Sequence, residues 1–259
     1  MKLPKKLLTA IRKSLFLKIF ASFIVLIIMY LAYFLYQEIR SGYLKYDAFG
    51  VRIPSGYDVH GIDVSKYQGV INWKSVKNMK VADVNIDFAF IKATQGLRTI
   101  DLKYYQNIVR ARQADMPVGS YHFFLTYRDA TEQAELFCNV ASVKKGDLPP
   151  VIDVEEAKGM SDEKIRKGVQ TWCDYVEKKY QVKPIIYTNA GFYKRYLAGH
   201  FDDYTLWVAH YKTAKKPSVD RAWAFWQHSE EANINGIYGK VDFNVFNGDM
   251  EDLEELKVK

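Results

Sequence analysis

The chain has almost no cysteine. Two occur in 259 residues, Cys138 and Cys173, which excludes a disulfide-stapled scaffold and any four-thiolate metal centre. Cys138 falls on the stripe Ala134, Phe137, Cys138, Ala141, and Cys173 on the stripe Ile165, Val169, Trp172, Cys173, Val176. Both stripes have the spacing of a helix face, so both residues read as core thiols. A bond between them stays open, since an exported domain would permit it. Histidine is sparse too. His60, His122, His200, His210 and His228 show no ligand spacing of the His-Glu-x-x-His kind, so no metal and no cofactor is expected. His122 and His210 read as structural. A Gly-x-Ser-x-Gly elbow and a phosphate-binding loop are also missing, which argues against that type of serine hydrolase and against nucleotide-driven chemistry.

Acid is absent from one stretch. Residues 1–36 carry Lys2, Lys5, Lys6, Arg12, Lys13 and Lys18 and no Asp or Glu. The formal charge of +7 therefore belongs mostly to this flank, and the remainder holds 31 basic against 30 acidic residues. A nearly neutral main domain carries no phosphate-binding stripe, and no nucleic-acid partner is expected.

A long apolar run comes next. Ile19 to Tyr36 holds 18 residues without a charge, and at about 1.5 Å per residue it spans roughly 27 Å, close to the hydrocarbon thickness of a bilayer. Lys18 can snorkel, so the span is placed at 15–36. Tyr30, Tyr33 and Tyr36 lie at its far end, where aromatic rings favour the interface. The cations before it put residues 1–14 in the cytoplasm and the rest outside. The alternative is a cleaved signal peptide and a secreted protein. The run exceeds the roughly 7–15 residues usual for one, and no small-x-small cleavage site comes after it, so the reading is a single-pass anchor. No cysteine lies just beyond it, which argues against a lipoprotein. Residues 37–57 are polar and mixed and read as a coil tether, 58–249 as the main domain, and 250–259 as a polar tail.

Within 58–249, short apolar runs alternate with helical patterns. Expected strands are His60–Val64, Phe88–Ala93, Val118–Phe123, Val151–Glu155, Ile185–Thr188, Leu206–Ala209, Ala224–His228 and Val241–Phe246. Expected helices are Asp101–Ala114, Ala130–Val143, Asp162–Lys179 and Ala190–Leu197, the third capped by Ser161. Eight strands with helices between the early ones indicate an α/β protein of the (β/α) barrel class, TIM-like, with later connections too short for full helices.

The most informative segment is Val151-Ile152-Asp153-Val154-Glu155. Side chains two apart on a strand share a face, so Asp153 and Glu155 point into one space. Burying an unpaired carboxylate costs several kcal/mol, so such a pair needs a reason, and cleavage of a glycosidic bond is one. In barrels the working residues sit at the C-terminal ends of strands. Asp63 ends the first strand and Asp242 lies in the last, so four acids from three strands can converge on one mouth.

At these residues the chain resembles a known family. HGIDVSKYQGVINW (60–73), FAFIKATQG (88–96), PVGSYHFF (117–124), PPVIDVEE (149–156), IIYTN (185–189), LWVAHY (206–211), FWQHS (225–229) and GKVDFNVFNG (239–248) resemble the family 25 glycoside hydrolases, the Chalaropsis-type lysozymes. Each motif alone is weak; the ordered set over about 190 residues is specific. The resemblance implies a flattened, irregular barrel that cleaves the β-1,4 bond between N-acetylmuramic acid and N-acetylglucosamine in peptidoglycan. It makes Glu155 the general acid, Asp153 its partner carboxylate, and Asp63 and Asp242 the flanking acids. Gln95 departs from the pattern, since many members carry Glu there, which puts substrate positioning in question but leaves the acid pair.

A general acid must hold its proton near neutral pH, and burial with repulsion from Asp153 and the two further carboxylates of the mouth would raise Glu155. The substrate's own 2-acetamido oxygen can attack the anomeric carbon, with Asp153 orienting the amide, giving net retention; direct attack by Asp153 is the rival. Sugar faces need aromatic platforms, for which Tyr121, Tyr187, Tyr211 and Trp226 are the candidates. The expected partners are peptidoglycan strands and the membrane, with no protein partner. A non-catalytic wall-binding module is the reading of another class, and retention of all four acids argues against it. Cleavage on the other side, as an N-acetylglucosaminidase, uses the same groups.

Overall fold

The computed structural model describes residues 5–211, 213 and 215–259, with side chains described for 16–36, 42–211, 213 and 215–259. Contacts divide the chain into two units, Met1–Tyr43 and Leu44–Lys259. The basic flank, 1–14, lies outside the residues whose side chains are described. The first unit contains helix α1, Lys5–Ser41. Its segment Phe16–Tyr36 has 21 residues with mean hydropathy 2.4 and no buried side chain. At about 1.5 Å per residue that is roughly 31 Å, long and apolar enough to cross a membrane.

In the second unit, eight strands form a closed barrel: β1 (Val59–Val64), β2 (Phe88–Gln95), β3 (Val118–Phe123), β4 (Val151–Asp153), β5 (Ile185–Asn189), β6 (Leu206–Ala209), β7 (Phe225–Ala232) and β8 (Val241–Phe246). Their order around the barrel is the order of the chain, and pairing of β1 with both β2 and β8 closes it. Neighbours from β1 to β7 are parallel. Strand β8 runs antiparallel to both β7 and β1. The C-terminal ends of β1–β7 and the start of β8 therefore share one end of the barrel, the mouth.

Parallel strands covered on both faces need apolar side chains on both, which is why β1 and β6 are buried throughout. The interior holds Phe88, Phe90, Val151, Ile185, Trp207 and Phe225. Phe90 stacks on Trp207 at 4.5 Å between centroids, and Phe88 meets Phe225 edge-on at 5.2 Å. Rings this large fit only because their register partners on the neighbouring strands, Gly61 beside Phe88 and Gly119 beside Phe90, are glycines. A Cβ at Gly61 would lie 2.3 Å from Phe88, and one at Gly119 2.5 Å from Phe90.

The outer faces, with Ile62, Ile91, Ile152 and Val208, pack against helices. These are α2 (Tyr104–Gln113), α3 (Ala130–Val140) and α4 (Asp162–Tyr180). Helix α4 starts where Ser161 Oγ accepts from Lys164 N and buries Ile165, Val169, Trp172, Cys173 and Val176, the stripe read from sequence. Both thiols are free, Cys173 buried and Cys138 half-buried. After β5 the connection shrinks to Ala190–Phe192 and a π-turn, Tyr193–Leu197.

Two segments depart from the sequence reading. Residues 37–57 do not form a coil tether. Helix α1 runs on to Ser41, and Tyr43–Tyr46 pairs with Val51–Pro54. Phe49 and Ile53 are buried in the outer core, with Phe49 stacked on Phe243 at 5.1 Å. The polar stretch 250–259 is likewise ordered. Asp249 caps helix α5 (Met250–Glu255), whose Leu253 joins the barrel interior. Val258 then bonds through its backbone to Gly146 and Asp147, both at 2.9 Å.

Candidate active site

The mouth is a cavity of about 450 Å³ lined by residues from all eight strand ends. Asp63 is the fifth residue of β1. Its register partner on β8 is Asp242, so the reversed strand carries its own acid to the same place. Asp153 ends β4 beside Phe123 of β3 and Tyr187 of β5. The strand stops there rather than at Glu155, which lies two residues on in the loop and still lines the mouth. The four predicted acids are thus brought together.

Asp63 is held by a network. Its Oδ2 accepts from Gln227 Nε2 and from Asn244 Nδ2, each at 2.8 Å. Asn244 Oδ1 accepts from Trp207 Nε1 at 2.8 Å. Gln227 Oε1 accepts from the Tyr187 hydroxyl at 2.8 Å and the Tyr211 hydroxyl at 2.5 Å. Strand parity explains the set. Gln227 shares a face with Phe225, and Asn244 with Asp242, so both amides point into the barrel.

Burial dominates the electrostatics. It pushes Asp63 up to about 6, against hydrogen bonds from Asn244, Gln227 and Asp242 that pull it down. Asp242 is pushed up to about 9, first by burial and then by the Asp63 charge. The two acids repel when both are ionised, so the pair holds one shared proton. Asp153 is raised well above the carboxylate range by burial and next by Glu155, while Lys92 pulls it back. Its Oδ1 is buried with no hydrogen-bond partner. Glu155 is raised by burial, then by Glu156 and Asp63. The repulsion between Asp153 and Glu155 expected from the sequence is present as well and raises Asp153.

Of the predicted aromatic contacts, Tyr121, Tyr187 and Tyr211 line the mouth. Trp226 does not. It comes after the inward Phe225, so it points outward, is fully buried against Tyr57 and Trp223, and donates to the His210 carbonyl. Trp207 takes the inward place instead. The sequence reading also missed Lys92, Asn189, Gln227, Glu230 and Asn244. The signal for Gln227 and Asn244 was their parity with Phe225 and Asp242. His122 lies outside the mouth, bonded to Thr94 at 2.7 Å and Gln133 at 3.2 Å beneath α3 and α4. His210 Nδ1 accepts from Ser218 N at 3.0 Å.

Comparison with known proteins agrees with this architecture. A sequence profile of the glycosyl hydrolases family 25 matches residues 62–237. A family 25 glycosyl hydrolase from Bacillus anthracis superposes with a TM-score of 0.72 at 32% identity, covering 78% of this chain and 94% of its own. Lysozyme M1 of Streptomyces globisporus is 33% identical over 209 residues, 73% of this chain and 68% of that protein. YegX of Escherichia coli K12 is 43% identical over 213 residues, 82% of this chain and 78% of its own length. An α/β barrel with an acid-lined mouth and these relatives is a glycoside hydrolase. The chain belongs to glycosyl hydrolase family 25.

Proposed function

We propose that this chain is a peptidoglycan hydrolase of the lysozyme type. It cleaves the β-1,4 bond between N-acetylmuramic acid and N-acetylglucosamine. Glu155, kept protonated by burial and its acidic neighbours, donates to the leaving glycosidic oxygen. Asp153 orients the substrate's 2-acetamido group, whose oxygen attacks the anomeric carbon as the glycosidic bond breaks; water, giving its proton to the Glu155 carboxylate, then opens the cyclic intermediate, and the two displacements together retain configuration. The observation that carries this reading is Asp153 Oδ1, an acceptor buried beside the acid with nothing to bond. An amide N–H of the sugar supplies the missing donor, and the cost of an unsatisfied buried acceptor, about 1–3 kcal/mol, becomes binding energy. Asp63, fixed by two amides and sharing a proton with Asp242, is a rigid negative wall facing the positive charge that develops on the sugar ring. Tyr121, Tyr187, Tyr211 and Trp207 provide the flat faces. Helix α1 anchors the enzyme in the membrane with the barrel on the cell-wall side, remodelling the cell's own wall.

The test is mass spectrometry of purified peptidoglycan digested with the detergent-solubilised full chain, with Glu155→Gln as control. Fragments with reducing N-acetylmuramic acid ends, absent from the control, support the reading. Reducing N-acetylglucosamine ends would overturn the bond assignment, and glycan bound without cleavage would make the chain a binding module. A covalent sugar trapped on Asp153 would replace substrate assistance by direct attack. Finding the mature protein without residues 1–36 in the medium would remove the anchor.

A further inference from the structure

Lys92 has no task in this mechanism. Among the described residues lining the mouth, Lys92 is the single cation, against Asp63, Asp153, Glu155, Glu230 and Asp242. An ammonium turned into a barrel is penalised by burial, and its pKa is lowered for that reason. Its place is nevertheless built with care.

A fault in strand β2 sets its partner. Side chains three apart in a regular strand face opposite sides. In β2, Lys92 pairs with Tyr121 but Thr94 already pairs with His122, so Ala93 is an extra residue in the ladder. Such a bulge re-aims the side chains beyond it. Phe88, Phe90 and Lys92 face inward, while Ala93 and Thr94 both meet the outer layer. Gln95 then turns back, and its Oε1 accepts from Lys92 Nζ at 2.9 Å. The ammonium also sits 4.7 Å from the ring centroid of Phe123, the register partner of Asp153.

Gln95 is neutral, so it holds Lys92 without consuming its charge. The charges that reach Lys92 are Asp153 first, then Asp101, Lys66 and Glu155. Those facing Asp153 are Glu155, Lys92, Asp63 and Asp242, with the Tyr121 and Tyr187 hydroxyls on the flanking strands. Lys92 alone in that set favours the ionised carboxylate.

We propose that Lys92, docked on the Gln95 amide by the bulge at Ala93, is a positioning residue that serves as the counter-ion of Asp153. It acts through Asp153, and its place in turnover rests on the reading of Asp153 as the carboxylate that orients the substrate amide. Two readouts separate the proposal from that reading. Infrared difference titration of the full chain in detergent, with Asp153→Asn as the subtraction, tracks the Asp153 carboxyl whether or not the enzyme turns over. The pH dependence of kcat and KM on solubilised peptidoglycan tracks its consequence. Lys92→Met raises the Asp153 midpoint, and the acid limb of kcat with it, by at least about one pH unit. Lys92→Arg keeps both close to wild type. Gln95→Glu moves both upward by less, because a new carboxylate claims part of the Lys92 charge. Should the methionine variant not fold, Lys92→Gln gives the same test. An unmoved Asp153 midpoint overturns the proposal, including the case where KM rises and Lys92 proves to bind an anionic group of the substrate. A moved midpoint with an unmoved kcat limb leaves the counter-ion in place and overturns the catalytic reading of Asp153 instead.

Discussion

Replacing Asn244 by leucine cuts the mouth network at its centre. Asn244 is fully buried, accepts from Trp207 Nε1 and donates to Asp63 Oδ2, both at 2.8 Å. Leucine fills similar space and makes neither bond. The Trp207 N–H becomes an orphaned buried donor, at about 1–3 kcal/mol. Asp63 loses one of its two amide donors, and a hydrogen bond to a charged group contributes about 1.5–3 kcal/mol. That second loss exists only while Asp63 is ionised. Asp63 is pushed up to about 6 by burial, above the ordinary 3.8. A carboxylate raised on folding favours the folded state at low pH, and this advantage fades as pH rises from 3.8 to 6. Removing a donor to the charged form raises the group further, so the damage deepens above pH 6. Asn244→Leu should therefore cost about 3–5 kcal/mol at pH 7.5 and about 1–3 kcal/mol at pH 5. Urea unfolding of the full chain in mild detergent, monitored by tryptophan fluorescence, measures both. An equal penalty at the two pH values would refute this reasoning, since it would mean that Asn244 does not stabilise the Asp63 charge.

The same structure yields further expectations. Gly119→Ala drives a Cβ into Phe90, already stacked on Trp207, and should lower stability by about 1–3 kcal/mol; Phe90→Leu in the same chain should recover part of it, read as a coupling energy in a double-mutant cycle. His60 is lowered to about 4 by burial, so the unfolded chain takes the proton first, and stability complete above pH 6.5 is lost as pH falls toward 4. The full effect is about 3 kcal/mol, and His60→Leu should flatten that acid slope in urea midpoints between pH 7 and 4.5. Deleting residues 250–259 uncovers the interior beneath Leu253 and should cost at least about 2 kcal/mol in thermal or urea unfolding; retained turnover at low temperature would show the mouth intact at the other end.

The legible parts of the fold were those governed by apolar runs with clear ends. Val118–Phe123, Leu206–Ala209 and Val241–Phe246 form strands at the residues read from sequence. The 43–54 hairpin escaped because its strands have four residues each and its fixing contact, Asn233 N to Phe49 O, spans a distance in sequence that no local pattern encodes. The acids were conspicuous because carboxylates in apolar strands are costly; Gln227 and Asn244 are uncharged and carried no such mark. Trp226 was chosen for its chemistry, although Phe225 beside it already fixed which of the two faces inward. The Lys92–Gln95 contact depends on a bulge, which shifts strand parity and leaves no trace in residue type.

The reversal of β8 bears on engineering. Because β8 returns along β7, the rim there is a paired arm, with Ser229 opposite Phe243 and Ala232 opposite Val241, rather than a free loop. Glu230 projects into the mouth from this arm, and Tyr238 at its turn is 94% exposed. An arm with paired backbones can be extended in increments of two residues per strand, since each increment restores the original parity. The groove could thus be deepened on one side, and the length of glycan it grips altered, while Asp242 keeps its orientation toward Asp63.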